Sequence, residues 1–255
     1  MQLKNSYWWF KSAISPEVCQ QIIDLGVSKI EADKQSGKSV EAYTFGDKQK
    51  SAVNSGQAMP QGEFSVQTLK EKGVSEENTY ARDSEVAWLN DQWIYDLILP
   101  YIREANEKAG WKWDWDGAEQ FQFTKYNPGG FYSWHKDGGS DWNSVYRRYI
   151  YGVNPNQPKG DGRLPDSYVY EDSMVGKVRK ISMTLNLNPP GQYEGGDLKF
   201  DFGHHSNTEK FWNVEEIRPQ GSLIVFPSFL DHCVTPLTRG TRYSLVLWCL
   251  GKPFK

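Results

Sequence analysis

The sequence predicts a mainly β fold with N-terminal α-helices, closed as a jelly roll or a barrel. Three observations carry that expectation. From Ala118 onward apolar residues alternate with a period of two in short runs, whereas before it they recur at helical spacing. Turn signals separate the runs: Asn127-Pro128-Gly129-Gly130, Pro189-Pro190-Gly191, Gly195-Gly196 and Pro219-Gln220-Gly221. The chain has 255 residues, an ordinary size for one all-β domain with one core.

Each element follows in order. Ser15-Pro16-Glu17 is a helix start, with a Ser cap, Pro at the first helical position and a carboxylate at the positive end. Val18, Ile22, Leu25 and Ile30 extend it to about residue 33. Residues 34–80 are mostly Lys, Gln, Ser, Gly and Glu, which predicts a mobile segment with a short strand over Ala42–Phe45. Val86, Leu89, Trp93, Leu97, Ile98, Tyr101, Ile102 and Ala105 form one helical stripe from Ser84 to Gly110, which Pro100 should kink or split. Trp111-Lys112-Trp113-Asp114-Trp115 alternates and reads as a strand edge. Strands are expected over 119–126, 131–136, 180–188, 197–202, 221–226, 231–234 and 241–249. Residues 140–178 read as an insertion of the kind that forms lids. The expected organisation is therefore a single domain, with 1–117 as helical support and 118–250 as the β core.

Composition excludes several function classes. A net charge of -3 and a pI of about 5.9 give no basic surface for gripping nucleic acid. The opening MQLKNSYWWFKS lacks the apolar core of a signal peptide, and the longest nearly apolar stretch, Leu223 to Leu230, is far short of a membrane span. Three cysteines without CxxC spacing argue against a disulfide framework and fit a reducing, cytoplasmic setting.

The chemistry concentrates in YNPGGFYSWHKDGG, residues 126–139. On a strand His135 and Asp137 point the same way, together with Ser133 and Phe131, so two metal donors share one face. Alone, an HxD pair is a weak signal. His232, at the start of a later strand, can be brought beside them by antiparallel pairing. Two imidazoles and one carboxylate on one face of a cation leave the opposite positions open, the arrangement of non-haem Fe(II) oxygenases. His204 and His205, in FGHHSN, are a rival pair that reads more simply as turn residues. Ten residues beyond His232 stands Arg242, on one strand face with Ser244, Val246 and Trp248. An inward guanidinium needs an anion, and its planar fork suits a carboxylate. Tyr126 ends the preceding strand and offers a hydroxyl as a further donor.

These stretches resemble the iron(II)- and 2-oxoglutarate-dependent dioxygenases, prolyl 4-hydroxylase-like branch. FTKYNPGGFYSWHKD, RKISMTLNLN, YEGGDLKF and GSLIVFPSFLDHCVTPLTRGTRYSLVLW follow the family's order over about 118–250, and YARDSEVAWL is a looser match. The resemblance implies a double-stranded β-helix (jelly roll) core. It implies His135, Asp137 and His232 as iron ligands, Arg242 on the distal carboxylate of 2-oxoglutarate, and Tyr126 assisting. It places Trp248 as a pocket-lining aromatic and Leu198 beneath the co-substrate. The hydroxyl that some prolyl hydroxylases carry four residues after the arginine is replaced by Val246, so Ser244 is the candidate for that role. The implied cofactors are Fe(II), 2-oxoglutarate and O2, with ascorbate as an accessory reductant. The implied reaction hydroxylates proline in a peptide or protein substrate while 2-oxoglutarate becomes succinate and CO2. A free amino acid, a small metabolite or a nucleobase is the alternative substrate. A non-catalytic binding jelly roll predicts no turnover, and a cupin-like enzyme would call for an HxH pattern that is absent.

Overall fold

The computed structural model describes residues 3–42, 82–139, 145–148, 168–169, 172–189, 191–203 and 211–254. Among them the chain order is β1 (Trp8–Phe10), α1 (Pro16–Gln35), β2 (Arg82–Asp83), β3 (Glu85–Leu89), α2 (Gln92–Lys108), β4 (Gly117–Ala118), β5 (Phe121–Tyr126) and β6 (Phe131–His135). Next come β7 (Arg147–Arg148), β8 (Tyr168–Val169), β9 (Val178–Asn186), β10 (Tyr193–Gly195), β11 (Leu198–Asp201) and β12 (Phe211–Asn213). A 3-10 turn (Glu215–Ile217) leads to β13 (Leu223–Pro227), β14 (Asp231–Val234), β15 (Leu237–Gly240) and β16 (Arg242–Gly251).

Helix α1 starts as its sequence dictates, with the Ser15 hydroxyl accepting from the Val18 amide and Pro16 at the first position. It runs to Gln35, and Val40 beyond it is buried, so the start of the segment expected to be mobile packs on the fold. The rest of that segment, from residue 43 to 80, lies outside the described residues, as do most of the expected Ala42–Phe45 strand, His204, His205 and most of the insertion. The helical stripe divides in two. Val86 and Leu89 belong to β3, and α2 begins only at Gln92. Ala87 and Leu89 are buried and Trp88 is exposed, so these residues also satisfy a period of two, and pairing with β5 settles the choice. Helix α2 runs through Pro100 without splitting and buries Ile94, Ile98, Ile102 and Ala105. Trp111 to Asp116 forms no strand; the Trp111 and Trp113 rings stack at 5.3 Å.

Two sheets face each other. The larger has the order β1-β13-β9-β16-β5-β3, with β4 also on β16, and the smaller has the order β12-β11-β14-β6-β2. All the larger sheet's pairings are antiparallel. This is the jelly-roll core. The outer face of the larger sheet receives both helices: Phe121, Phe123, Met183, Leu185, Leu245 and Leu247 meet Ile22, Ile30, Ile98 and Ile102 in the main core. Helix α1 approaches so closely that a Cβ on Gly26 would lie 2.3 Å from the Phe123 ring. The inner face, towards the smaller sheet, encloses the site.

Candidate active site

His135 ends β6 and His232 lies in β14, directly paired in antiparallel register. Asp137 lies just past the end of β6 and reaches both rings. Its Oδ1 is 3.6 Å from His135 Nε2 and its Oδ2 is 3.5 Å from His232 Nε2. One ligand atom from each of the three lies within 4.8 Å of the others. Each imidazole has its Nδ1 on a backbone carbonyl, His135 on Ser133 O at 2.7 Å and His232 on Leu230 O at 2.9 Å. A carbonyl only accepts, so in the neutral ring Nδ1 carries the proton and Nε2 presents its lone pair to the centre of the cluster.

Electrostatics supports that state. Burial, with help from neighbouring His135, lowers the His232 pKa to about 4, so this ring is neutral at pH 7. Burial alone would raise the Asp137 carboxyl; His232 and His135 hold it below the usual range to the extent that either ring takes up a proton, and the Arg179 guanidinium, always charged, does so throughout. The Asp137 Oδ2 is nevertheless buried without a hydrogen-bond partner among the described residues. Two imidazoles with Nε2 turned inward and an under-satisfied carboxylate make a donor set that fits Fe(II).

The expectation that Phe131 and Ser133 share the His135 face is corrected. Between the His232–His135 and Val234–Tyr132 pairs, β14 has one residue and β6 has two. This bulge brings Tyr132 to the His135 side, where the rings stack at 3.5 Å. Tyr132, partly buried, has its hydroxyl pKa pushed above the usual range by desolvation.

The other expected residues line the same cavity. Arg242 is only 2% exposed and forms no ion pair among the described residues. Its Nη1 donates to Ser244 Oγ at a long 3.4 Å, its Nε has no partner, and its guanidinium lies 5.4 Å from the Tyr126 ring centre. A buried cation with so little compensation is costly unless an anion meets it, and a carboxylate matches its fork. Gly196, with φ +61, leaves the space beside it: a Cβ there would stand 3.0 Å from Arg242 Cδ. Tyr126, Leu198, Ser244 and Trp248 also line the cavity, so the structure brings these four together with His135, Asp137, His232 and Arg242, while the rival pair His204 and His205 lies outside the described residues.

Sequence reasoning missed two contributors. Arg82 lies 4.5 Å over the Tyr132 ring and donates to Ser84, Gln122 and Thr124, joining the two sheets across the cavity mouth. Arg179 lies 3.9 Å from the Trp248 ring centre and is held by Glu119 at 2.5 and 2.6 Å. A bulge directs it there: Ile181 pairs with Cys249 and Arg179 with Leu250, leaving Lys180 unmatched. The polar run in VRKIS was the available signal, but a simple alternation puts Lys180 on the inner face instead.

Comparison with known proteins agrees with this geometry. The sequence profile of the 2OG-Fe(II) oxygenase superfamily matches residues 121–250, about half of the chain. A PKHD-type hydroxylase of Hyphomonas neptunium is 34% identical over 96 residues, covering 37% of this chain and 34% of the relative. One from Klebsiella pneumoniae is 29% identical over 127 residues, covering 49% of this chain and 41% of the relative. The matches thus span well under half the length of these relatives. Among solved structures, the viral collagen prolyl hydroxylase of Paramecium Bursaria Chlorella virus-1, in its 2OG complex, superposes over 97% of both chains, with a TM-score of 0.53 and 16% identity. A Pseudomonas putida prolyl-4-hydroxylase covers 96% of this chain and 91% of its own, with a TM-score of 0.51 and 17% identity. At such identities the superpositions speak for the fold. Matched over its whole β core, the part that holds the His–Asp–His cluster and the buried arginine, the chain belongs to the 2OG-Fe(II) oxygenase superfamily.

Proposed function

We propose that this chain is a single-domain Fe(II)- and 2-oxoglutarate-dependent dioxygenase that hydroxylates proline in a peptide or protein. The observation that carries the reading is one cavity with a His135–Asp137–His232 cluster and the ion-unpaired, buried Arg242. His135, Asp137 and His232 would hold iron, and Arg242 with Ser244 and Tyr126 would hold the far carboxylate of 2-oxoglutarate. When bound, the iron supplies the redox chemistry that couples decarboxylation of 2-oxoglutarate to succinate and CO2 with transfer of one oxygen atom from O2 to a C–H bond.

The protein's part is positioning and shielding. The Nδ1–carbonyl contacts keep both Nε2 lone pairs aimed inward. Arg179 Nη1 donates to the Asp137 carbonyl at 3.2 Å, and the Gly138 amide donates to Ser228 O at 2.9 Å, which fixes the segment that presents the carboxylate. Leu198, Phe226 and Val246 line the cavity with apolar surface that excludes water. Support for a peptidyl substrate comes from the names of similar proteins: hydroxylases of PKHD type, collagen and prolyl hydroxylases, and a Trichoplax adhaerens prolyl hydroxylase solved with a hypoxia inducible factor peptide fragment. No helix of the described residues is long and apolar enough to cross a membrane.

The test is succinate production from 2-oxoglutarate under air with Fe(II), with and without proline-rich peptides. Peptide-stimulated succinate that His135→Ala abolishes, with a one-oxygen mass gain on proline, is the expected result. Succinate that no peptide stimulates would move the substrate to small molecules. None at all from iron-loaded protein would sink the proposal.

A further inference from the structure

The stretch Trp111 to Trp115 lines no part of the metal cavity, yet the fold anchors it firmly. Asn106, 6% exposed on α2, grips the Trp113 backbone with both ends of its amide: Nδ2 donates to the Trp113 carbonyl at 2.9 Å, and Oδ1 accepts from the Trp113 amide at 3.0 Å. The Trp111 ring stacks on Trp113, and Trp111 Nε1 donates to Asn5 O at 2.7 Å. Gly251 lets the stretch cross the end of β16, since a Cβ there would stand 2.6 Å from the Asp114 carbonyl. Thus fixed, the Trp113 indole meets two half-buried phenyl rings, Phe254 at 5.0 Å and 75° and Phe229 at 5.8 Å and 52°. These two also meet each other edge-on, at 5.7 Å and 78°. Lys180 closes the cluster, its Nζ 4.8 Å over the Phe254 ring and donating to Asp114 O at 2.9 Å.

Phe229 sits in a tight turn that the Leu230 amide closes on Pro227 O at 2.9 Å. The residues on either side of it carry the metal donors. Ser228 O accepts from the Gly138 amide at 2.9 Å, next to Asp137, and Leu230 O takes His232 Nδ1 at 2.9 Å. Ser228 is also tied to β9, by its amide to Lys180 O at 3.0 Å and by its hydroxyl to Ser182 Oγ at 2.9 Å. Apart from each other, the rings that meet His135 and His232 among the described residues are Tyr132, Phe200 and Phe226. The aromatic trio therefore reaches the donors through the turn.

We infer that Phe229, Phe254 and Trp113 are positioning residues of the metal centre: by clamping the turn at 227–230 they fix the carbonyls that orient His232 and the Asp137 segment. The inference rests on the reading of His135, Asp137 and His232 as iron ligands. An imidazole ligand is aimed by the acceptor on its other nitrogen, and that acceptor here is a carbonyl of the turn. Ser228 has three bonds of its own, so the rings matter most for the Leu230 half of the turn, and hence for His232.

The experiment titrates metal-free protein with Mn(II) and reads free Mn(II) by electron paramagnetic resonance, well below the melting temperature of every variant. Phe229→Ala and Phe254→Ala should each bind Mn(II) about tenfold more weakly than wild type, the low end for losing a group that orients a metal ligand. The double variant should be no weaker than either, because both act through one contact. Phe254→Tyr keeps the ring and should restore wild-type affinity. With Fe(II), half-saturation for succinate formation should shift in step, while the rate at saturating metal stays near wild type. Phe10→Ala opens a comparable edge-on contact, 5.1 Å from Tyr101, and should lower the melting temperature without moving Mn(II) affinity. Phe254→Leu removes the ring but less of the packing. It should weaken Mn(II) binding in the same direction, and it keeps the test open where an alanine variant does not fold. Wild-type affinity in folded Phe229→Ala and Phe254→Ala, beside its loss in His135→Ala, would overturn the clamp alone. Mn(II) affinity that His135→Ala leaves unmoved would overturn the His–Asp–His reading, and the clamp with it.

Discussion

Along β16 the residues facing the helices are Leu245, Leu247 and Cys249, all fully buried, while Arg242, Ser244, Val246 and Trp248 face the opposite sheet. On β5 the same alternation sets Phe121 and Phe123 against Gln122, Thr124 and Tyr126, and on β9 it sets Met183 and Leu185 against Thr184 and Asn186. Both faces are shielded from solvent, so the alternation does not separate core from water. It separates a core that is complete in itself from a lining that awaits ligands. On the outer face the buried polar atom that lacks a hydrogen bond among the described residues, Glu85 Oε2, is ion-paired with Lys125 at 2.8 Å. The inner face buries a cation, a carboxylate and an indole N–H whose partners are missing, a costly arrangement unless binding supplies them.

Substitutions can break this contrast from either side. The largest effect is expected at the inner face: Asp137→Ala should lower peptide-stimulated succinate formation by more than about a hundredfold, beyond the usual cost of losing an outer-shell partner. Metal titration should show the matching loss of affinity, while the melting temperature of the metal-free protein changes little. Phe123→Ala is the outer-face counterpart. It should cost about 3–5 kcal/mol in urea unfolding, because it empties a fully packed site beneath Gly26, yet leave turnover per folded molecule near wild type.

A pH series sharpens the same division. The folded-state pKa of His232, about 4, lies below its ordinary 6.5, so the unfolded chain binds the extra proton first as pH falls. Stability of the metal-free protein should therefore be fully present above about pH 6.5 and decline towards pH 4, by on the order of 3 kcal/mol. His232→Gln should flatten that decline in denaturant titrations at fixed pH. The smallest effect is expected for Ser244→Ala. It removes a long, weak contact to Arg242 and should raise the KM for 2-oxoglutarate about fivefold without changing the peptide KM.

Much of the site was legible because its signals are local. His135 and Asp137 lie two apart, Arg242 follows His232 by ten, and the turn residues around them delimit strands to within a few positions. The strands 121–126, 131–135, 178–186, 198–201, 223–227, 231–234 and 242–251 were each anticipated, and short edge strands such as β1, β10, β12 and β15 were not. Those are three or four residues long, too short for a period to register. The helical misreading of Val86 and Leu89 has a related cause. Five residues fit both periods, and only pairing with β5 decides between them.

By itself the sequence determined the fold class, the α1 cap, the three clustered donors and the buried arginine, since each depends on residue type and spacing along one strand or turn. Only the tertiary structure decided which neighbours share their cavity. One bulge in β6 exchanges Ser133 for Tyr132 beside His135, and another in β9 exchanges Lys180 for Arg179 beside Trp248. A single extra residue inverts every side chain on one side of it, and whether a strand holds that residue is settled by its partner, not by its own sequence.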